Sequence, residues 1–288
     1  MLRVPSEIAE DHFESLKIQS SGMGEEVTFV AYRSDVYPSK NEVFFEQNAV
    51  IYVLEGDKKF SNTAVSVTVK KGDVFFVRQG YYLMSESINE SYKSLVFFIE
   101  DKLIKDFVNL NLELFPESES EELDNSTLLV LHSDEKFGKF AESVLPYFKT
   151  RTKYLNQFLK LKLHELLLHL MEFDTSNGLR NLLRYIYKGE KEDLGYLMQN
   201  YYLKPLTLSE LAKISGRSLS GFKRDFGEKF NTSPAVWIRN KRLDRAAFLF
   251  KNTKKNVSEI AEEVGFESIS HFIKLFKETY GITPSKFI

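Results

Sequence analysis

A chain of 288 residues is long for one hydrophobic core, so two domains of ordinary size are expected. Its 43% hydrophobic and 28% charged residues describe a globular chain rather than a disordered one, its lack of cysteine excludes disulfides, thiolate zinc sites and a cysteine nucleophile, and its apolar runs are too short to span a membrane. The net charge of −2 hides a division: residues 200–288 hold 16 Lys and Arg against 9 Asp and Glu, the rest 23 against 32, so one half alone suggests a polyanionic partner.

The amino terminus, Met1 to Asp11, carries Glu7 and Glu10 and lacks an apolar core, so it does not read as a secretion signal and the expected location is the cytoplasm. Residues 26–100 read as strands. Val27–Tyr32, Ala49–Leu54, Val65–Val69, Val74–Val77 and Leu95–Ile99 are short β-branched or aromatic runs, divided by turn signals at Glu55-Gly56-Asp57, Lys71-Gly72-Asp73 and Gln79-Gly80. Such spacing predicts an antiparallel sandwich or barrel. From Lys102 the period becomes helical, with helices over 102–112, near 134–149 and near 154–173, then an amphipathic stretch up to a boundary at Lys188-Gly189. Pro116–Asn125 reads as a mobile, acidic, serine-rich loop. The 154–173 segment is apolar around too much of its circumference to face water, so it is buried against its own domain or against a second subunit.

The remaining residues contain an internal repeat. Thr207-Leu-Ser-Glu-Leu-Ala-Lys-Ile-Ser-Gly216 leads into a helix with Phe222 and Phe226, and Asn256-Val-Ser-Glu-Ile-Ala-Glu-Glu-Val-Gly265 into one with Phe272 and Phe276. Ser209 and Ser258 sit near the helix starts, where a hydroxyl can cap free amides. Ala212 and Ala261 are small enough for close packing, and Gly216 and Gly265 allow the positive φ of a tight inter-helix turn. The phenylalanine pairs, four residues apart, anchor each second helix and turn its other face outward. That face offers Ser220, Lys223 and Arg224 in the first copy and Ser270, His271 and Lys274 in the second, donor-rich side chains suited to base edges in a major groove. His271 reads equally as a packed or an exposed side chain. Phe230-Asn-Thr-Ser-Pro234 and Tyr280-Gly-Ile-Thr-Pro284 are helix-start signatures after each copy, and place Thr232, Ser233 and Thr283 for contact with phosphate. A linker helix over Ala235–Asn252 fixes the spacing and carries Arg239, Lys241, Arg242 and Arg245. Arg239, Arg242 and Lys277 are assigned to phosphate.

This arrangement resembles the AraC family of bacterial transcription regulators. The resemblance is carried by Ile260-Ala, Val264-Gly-Phe, Ser268, Phe272, Phe276-Lys277, Tyr280-Gly281 and Thr283-Pro284, with Arg242-Leu243 and Ala246 in the linker helix. It implies seven helices, two recognition helices entering successive major-groove segments on one face of double-stranded DNA, RNA polymerase as a partner, and activation as the outcome. Gly221 and Asp225 depart from an ideal recognition helix. Lys71-Gly72-Asp73 turning into Val74-Phe-Phe-Val resembles the cupin-like sensor domains of that family. Val53-Leu-Glu-Gly, Lys71 to Gly80, Leu161-Lys-Leu-His-Glu-Leu-Leu and Gln199-Asn-Tyr-Tyr-Leu are more narrowly similar to its type III secretion activators, the exoenzyme S regulators. That likeness implies an N-terminal half that dimerises and is held by an anti-activator protein rather than by a small ligand.

The expected fold is therefore α+β: an N-terminal antiparallel cupin-like barrel with a helical hairpin over 1–188, and an all-α double helix-turn-helix domain over 189–288. One alternative is an ordinary helical bundle with a coincidental repeat. Another is a small-molecule-binding or catalytic cupin with a helical appendage. A cupin metal site needs clustered His and carboxylate ligands, yet no histidine lies between His12 and His132. His164 and His169 are five apart, not the four that would share a helical face in a zinc protease. Gly22-Met-Gly24 has no phosphate-loop context. No catalytic residue, cofactor or metal is expected, and the strand interiors predict a packed core or a narrow pocket for a small apolar effector.

Overall fold

The computed structural model describes residues 1–7, 13–19, 26–34, 41–86, 91–116, 127–149 and 152–287. His12, Gly22-Met-Gly24 and all but the first residue of the Pro116–Asn125 stretch lie outside them. The chain forms two compact units, Met1–Glu190 and Lys191–Ile288.

The first unit has three layers. One sheet has the order β1 (Leu2–Val4), β4 (Asn41–Phe45), β9 (Gly80–Glu86), β6 (Asp57–Ser61), β7 (Ser66–Lys70). The other runs β11 (Leu128–His132), β8 (Asp73–Val77), β5 (Asn48–Glu55), β10 (Tyr92–Ile99), β3 (Glu26–Ser34), β2 (Phe13–Gln19). Pairing is antiparallel except for β1 on β4 at an edge. Four of the five apolar runs read from the sequence fall in interior strands of the six-stranded sheet, β3, β5, β8 and β10, which are covered on both faces, while Val65–Val69 falls mainly on the edge strand β7 with alternating exposure. On β10, Val96 and Phe98 face the opposite sheet, while Leu95, Phe97 and Ile99 face helices; β8 divides likewise into Phe75 and Val77 against Val74 and Phe76. Four helices form the third layer: α1 (Asp101–Leu110), α2 (Glu135–Lys149), α3 (Leu155–Phe173) and α4 (Gly178–Lys188).

Helix α3 buries Leu159, Leu163, Leu166, Leu167, Leu170 and Met171 in that layer. His164 packs against the Phe107 ring at 4.9 Å, and His169 lies among Phe137, Phe140 and Phe173. Both histidines are thus part of aromatic packing.

The second unit contains seven helices among the described residues: α5 (Leu194–Tyr201), α6 (Leu208–Ile214), α7 (Leu219–Phe230), α8 (Pro234–Asn252), α9 (Val257–Glu263), α10 (Ile269–Tyr280) and α11 (Pro284–Phe287). The fold class is α+β. Among the described residues no helix is long and apolar enough to cross a membrane.

Candidate nucleic-acid interface

Each helix-turn-helix is built by the same local devices. The first helices start at capping boxes. Thr207 accepts from the Glu210 N–H at 3.2 Å while Glu210 accepts from the Thr207 N–H at 2.6 Å, and Asn256 and Glu259 repeat the exchange at 3.0 and 2.8 Å. The caps are therefore Thr207 and Asn256 rather than Ser209 and Ser258, which lie two residues further on, inside the first turn. A side chain at the cap residue reaches the free amides ahead of it, whereas one inside the turn does not. The inter-helix turns pass through Gly216 (φ 70°) and Gly265 (φ 83°), the left-handed conformation the sequence required there.

The recognition helices α7 and α10 start at Ser218 and Ser268, which accept from the Gly221 and His271 N–H groups at 3.1 and 3.3 Å. Phe222, Phe226, Phe272 and Phe276 are all fully buried. The first pair packs with Phe230 against Trp237 of α8; the second packs against Phe250, Tyr280 and Phe287. Anchoring these positions turns Ser220, Lys223 and Arg224 outward on α7, and Ser270, His271 and Lys274 outward on α10, and all six are exposed.

The exposed faces differ in electrostatics. Asp225 accepts from Arg217 Nε at 3.0 Å and from Arg224 at 2.9 Å, with Lys191 at 3.6 Å. Arg217, and next Arg224, hold its carboxyl below the usual aspartate range. Arg224 thus lies against an acidic neighbour, while Lys223 has no ion-pair or hydrogen-bond partner among the described residues and carries the uncommitted charge of this helix. On α10, Lys274 approaches Glu278 only at 4.0 Å and Lys277 is exposed.

The predicted phosphate positions cluster at the two junctions after the recognition helices. Asn231 (φ 53°) and Gly281 (φ 78°) end α7 and α10 in the same left-handed conformation, followed by Pro234 and Pro284 at the next helix starts. Ser233 is exposed and caps α8 through the Val236 N–H at 3.4 Å; Thr232 and Thr283 are half-buried, and Arg239 and Lys277 exposed.

Arg242 is placed differently from its predicted phosphate role. Its guanidinium donates to the carbonyls of Tyr202 at 2.7 Å, Gly265 at 2.6 Å and Lys204 at 3.0 Å. Burial lowers its pKa. A Cβ at Gly265 would come within 2.9 Å of its Cζ. Arg242 therefore braces the turn of the second unit against the end of α5, and a side chain committed to three carbonyls is not a surface phosphate ligand. Arg217 does the equivalent for the first unit, donating to the carbonyls of Glu192 and Ser215.

Two exposed apolar residues escaped the sequence reading. Leu219 and Ile269 occupy the first position of α7 and α10 and are 39% and 42% exposed. The available signal was an aliphatic residue immediately after each serine cap, next to the predicted base-contacting serine.

Paired recognition helices with donor-rich outer faces, each held by buried phenylalanines and followed by a proline-started helix, define a double helix-turn-helix DNA-binding protein. The chain matches the model of the ExsA N-terminal regulatory domain over residues 48–182 and that of a helix-turn-helix domain over residues 211–288. It is 26% identical over 241 residues to the virulence regulon transcriptional activator VirF of Yersinia enterocolitica, covering 83% of this chain and 88% of VirF. The thermoregulatory protein LcrF of Yersinia pestis is 25% identical over 252 residues, covering 87% and 92% of the two chains. The regulator ExsA of Pseudomonas aeruginosa is 27% identical over 250 residues, covering 84% and 86%. The chain thus joins a match to the ExsA N-terminal regulatory domain to a helix-turn-helix domain, is similar over most of its length to AraC-family activators, and is a sequence-specific DNA-binding transcription regulator.

Proposed function

We propose that this protein is a cytoplasmic, non-enzymatic activator of transcription that binds DNA through 189–288 and is controlled through a cupin-like regulatory and dimerisation domain over 1–188. The observation that carries the reading is the repetition of one scaffold with two exposed donor-bearing faces, Ser220, Lys223 and Arg224 on α7 and Ser270, His271 and Lys274 on α10. Thr232, Ser233, Arg239, Lys277 and Thr283 contact the DNA backbone around them. Activation is supported by the name of VirF, a transcriptional activator, and RNA polymerase is the partner that an activating role would call for.

Dimerisation is supported by the outer side of α3. Tyr154, Phe158, Leu161 and Leu168 are exposed at 56%, 41%, 66% and 41%, and with Glu165 they follow the alternating four- and three-residue spacing of a helix–helix seam. The predicted alternatives for this helix are thus divided between its faces, one covered by its own unit and one that a second copy of the chain covers. Sedimentation of the wild-type protein and of Leu161→Asp tests this: a dimer converted to a monomer is expected, and a wild type that stays monomeric at all concentrations would contradict it.

Sequencing the genomic DNA retained by the full-length protein tests the function as a whole. Enrichment upstream of a defined gene set, with a two-part motif, is expected. Retention of DNA without sequence preference would contradict the assignment.

A further inference from the structure

Helix α8 buries Leu243, Ala246, Ala247, Leu249 and Phe250 in the core of the second helix-turn-helix. Its opposite side is not explained by that packing. Lys241, Arg245 and Phe248 follow one another at spacings of four and three residues, and Lys251 stands three further on, so the four share one outer face. Each cation on this face lies over an aromatic ring. Lys241 Nζ is 5.6 Å from the Trp237 centroid, Arg245 Cζ 5.2 Å from that of Phe248, and Lys251 Nζ 5.3 Å from that of Phe287. Trp237 is packed with Phe226 and Phe230 of the first half, and Phe287 with Phe276 of the second. Phe248 belongs to neither core, and 53% of it is exposed.

Lys241, Arg245 and Lys251 form no ion pair with a carboxylate among the described residues. Asp244, the one acidic residue of the helix, stands between the first two, yet it accepts from the Tyr280 hydroxyl at 3.0 Å. The face therefore carries three positive charges around an exposed ring. A DNA backbone would occupy the cations and leave the ring in water, and bases are read from α7 and α10. Aromatic and arginine side chains together are instead the composition of a protein-interface anchor. The complement of this face is a protein segment that brings carboxylates to the cations and an apolar side chain to the ring. Because α8 belongs to the unit that carries both recognition helices, such a partner is held beside the bound DNA.

We propose that the outer face of α8 docks an acidic protein segment bearing an apolar side chain, presented by RNA polymerase at the same promoter. Phe248 is its anchor, and Lys241, Arg245 and Lys251 are its charge partners. The proposal rests on the reading of the protein as an activator and specifies the surface through which it activates.

Transcription by purified RNA polymerase from a promoter that the full-length protein enriches, measured with its binding site saturated, tests the proposal. Phe248→Ser is expected to lower activation at least about tenfold, the effect of losing one interface anchor. Its gel-shift affinity for the same DNA is expected to stay within about twofold of the wild type, as for a surface substitution away from the reading faces. Phe248→Leu is expected to restore most of the activation, and Arg245→Gln to lower activation several-fold within the same limits of DNA affinity. Photocrosslinking of the promoter complex from Phe248→benzoylphenylalanine is expected to label a polymerase subunit. Full activation by Phe248→Ser, a fall in DNA affinity that matches the fall in activation, or the absence of a polymerase crosslink would each overturn the proposal. A wild type that binds the promoter and leaves transcription unchanged removes the activator reading and the docking face with it. An activating wild type matched by Phe248→Ser removes the docking face alone.

Discussion

In the first helix-turn-helix the residue before the second buried phenylalanine is Asp225, wired to Arg217 and Arg224; in the second it is Leu275, packed against the core of its half. Lys223 and Arg224 of the first unit correspond to Ile273 and Lys274 of the second, and Gly221 to His271. The scaffolds are equivalent down to the caps, the turn glycines and the proline-started helix that follows, so the difference is concentrated on the outward faces. One scaffold has been kept because it holds a helix at a fixed angle, while its surface is free to vary with the bases it meets. On the proposed reading, the Asp225 carboxylate in the first unit competes with DNA for Arg224 and leaves Lys223 as the principal base reader. The second unit presents His271 and Lys274 on a helix where the only carboxylate near Lys274 among the described residues is Glu278, at 4.0 Å.

The largest expected effects test whether the shared scaffold is needed in both units. Phe226→Ala and Phe276→Ala should each destabilise the C-terminal unit by about 3–5 kcal/mol in urea unfolding. Trp237 touches Phe226 and Phe230 and is the sole tryptophan, so its fluorescence reports the first half while circular dichroism reports the whole. Coincident transitions are expected if the halves unfold together.

Next in size is Arg242→Ala. As a brace it should cost about 2–3 kcal/mol of stability, since it leaves inward carbonyls without their donor. The salt dependence of DNA binding by the folded fraction should stay unchanged. A phosphate ligand would behave oppositely, with little loss of stability and a salt slope lower by about one.

Smaller effects sharpen the contrast between the faces. Lys223→Ala should lose about 1–3 kcal/mol of discrimination at one base position, more than Arg224→Ala in the same assay. Asp225→Asn should release Arg224 and strengthen binding by up to about 1 kcal/mol, read by gel shift against the wild type. Lys277→Ala should weaken binding evenly across sequences, by the loss of one phosphate contact. A base-specific loss at Lys277 would move it from backbone to base recognition.

Much of this was legible in the sequence, and the exceptions have physical causes. The central strands β5, β8 and β10 stand out because burial on both faces makes them continuous apolar runs. The helices of both units stand out through their period, and the turn glycines through the φ only glycine adopts readily. Strand β6 was hidden because Asp57-Lys-Lys-Phe-Ser places a lysine on an inward position, and no periodicity argument expects a buried Lys58. Arg242 was misread because a basic flank on a linker helix looks alike whether its members face solvent or reach across to carbonyls; the carbonyls belong to residues 23 to 40 positions away. Leu219 and Ile269 look like core residues in sequence and become surface only once the helix is oriented by its phenylalanines.

The central claim is that the two recognition helices read separate DNA segments. The most direct test is to select binding sites from a random DNA pool with the wild type, Lys223→Ala and Lys274→Ala, and compare base preference position by position. Each substitution is expected to relax preference only within its own segment, the two segments lying about one helical turn, roughly 10–10.5 base pairs, apart. Loss of preference at the same positions in both variants, or an even loss along the whole site, would contradict the claim.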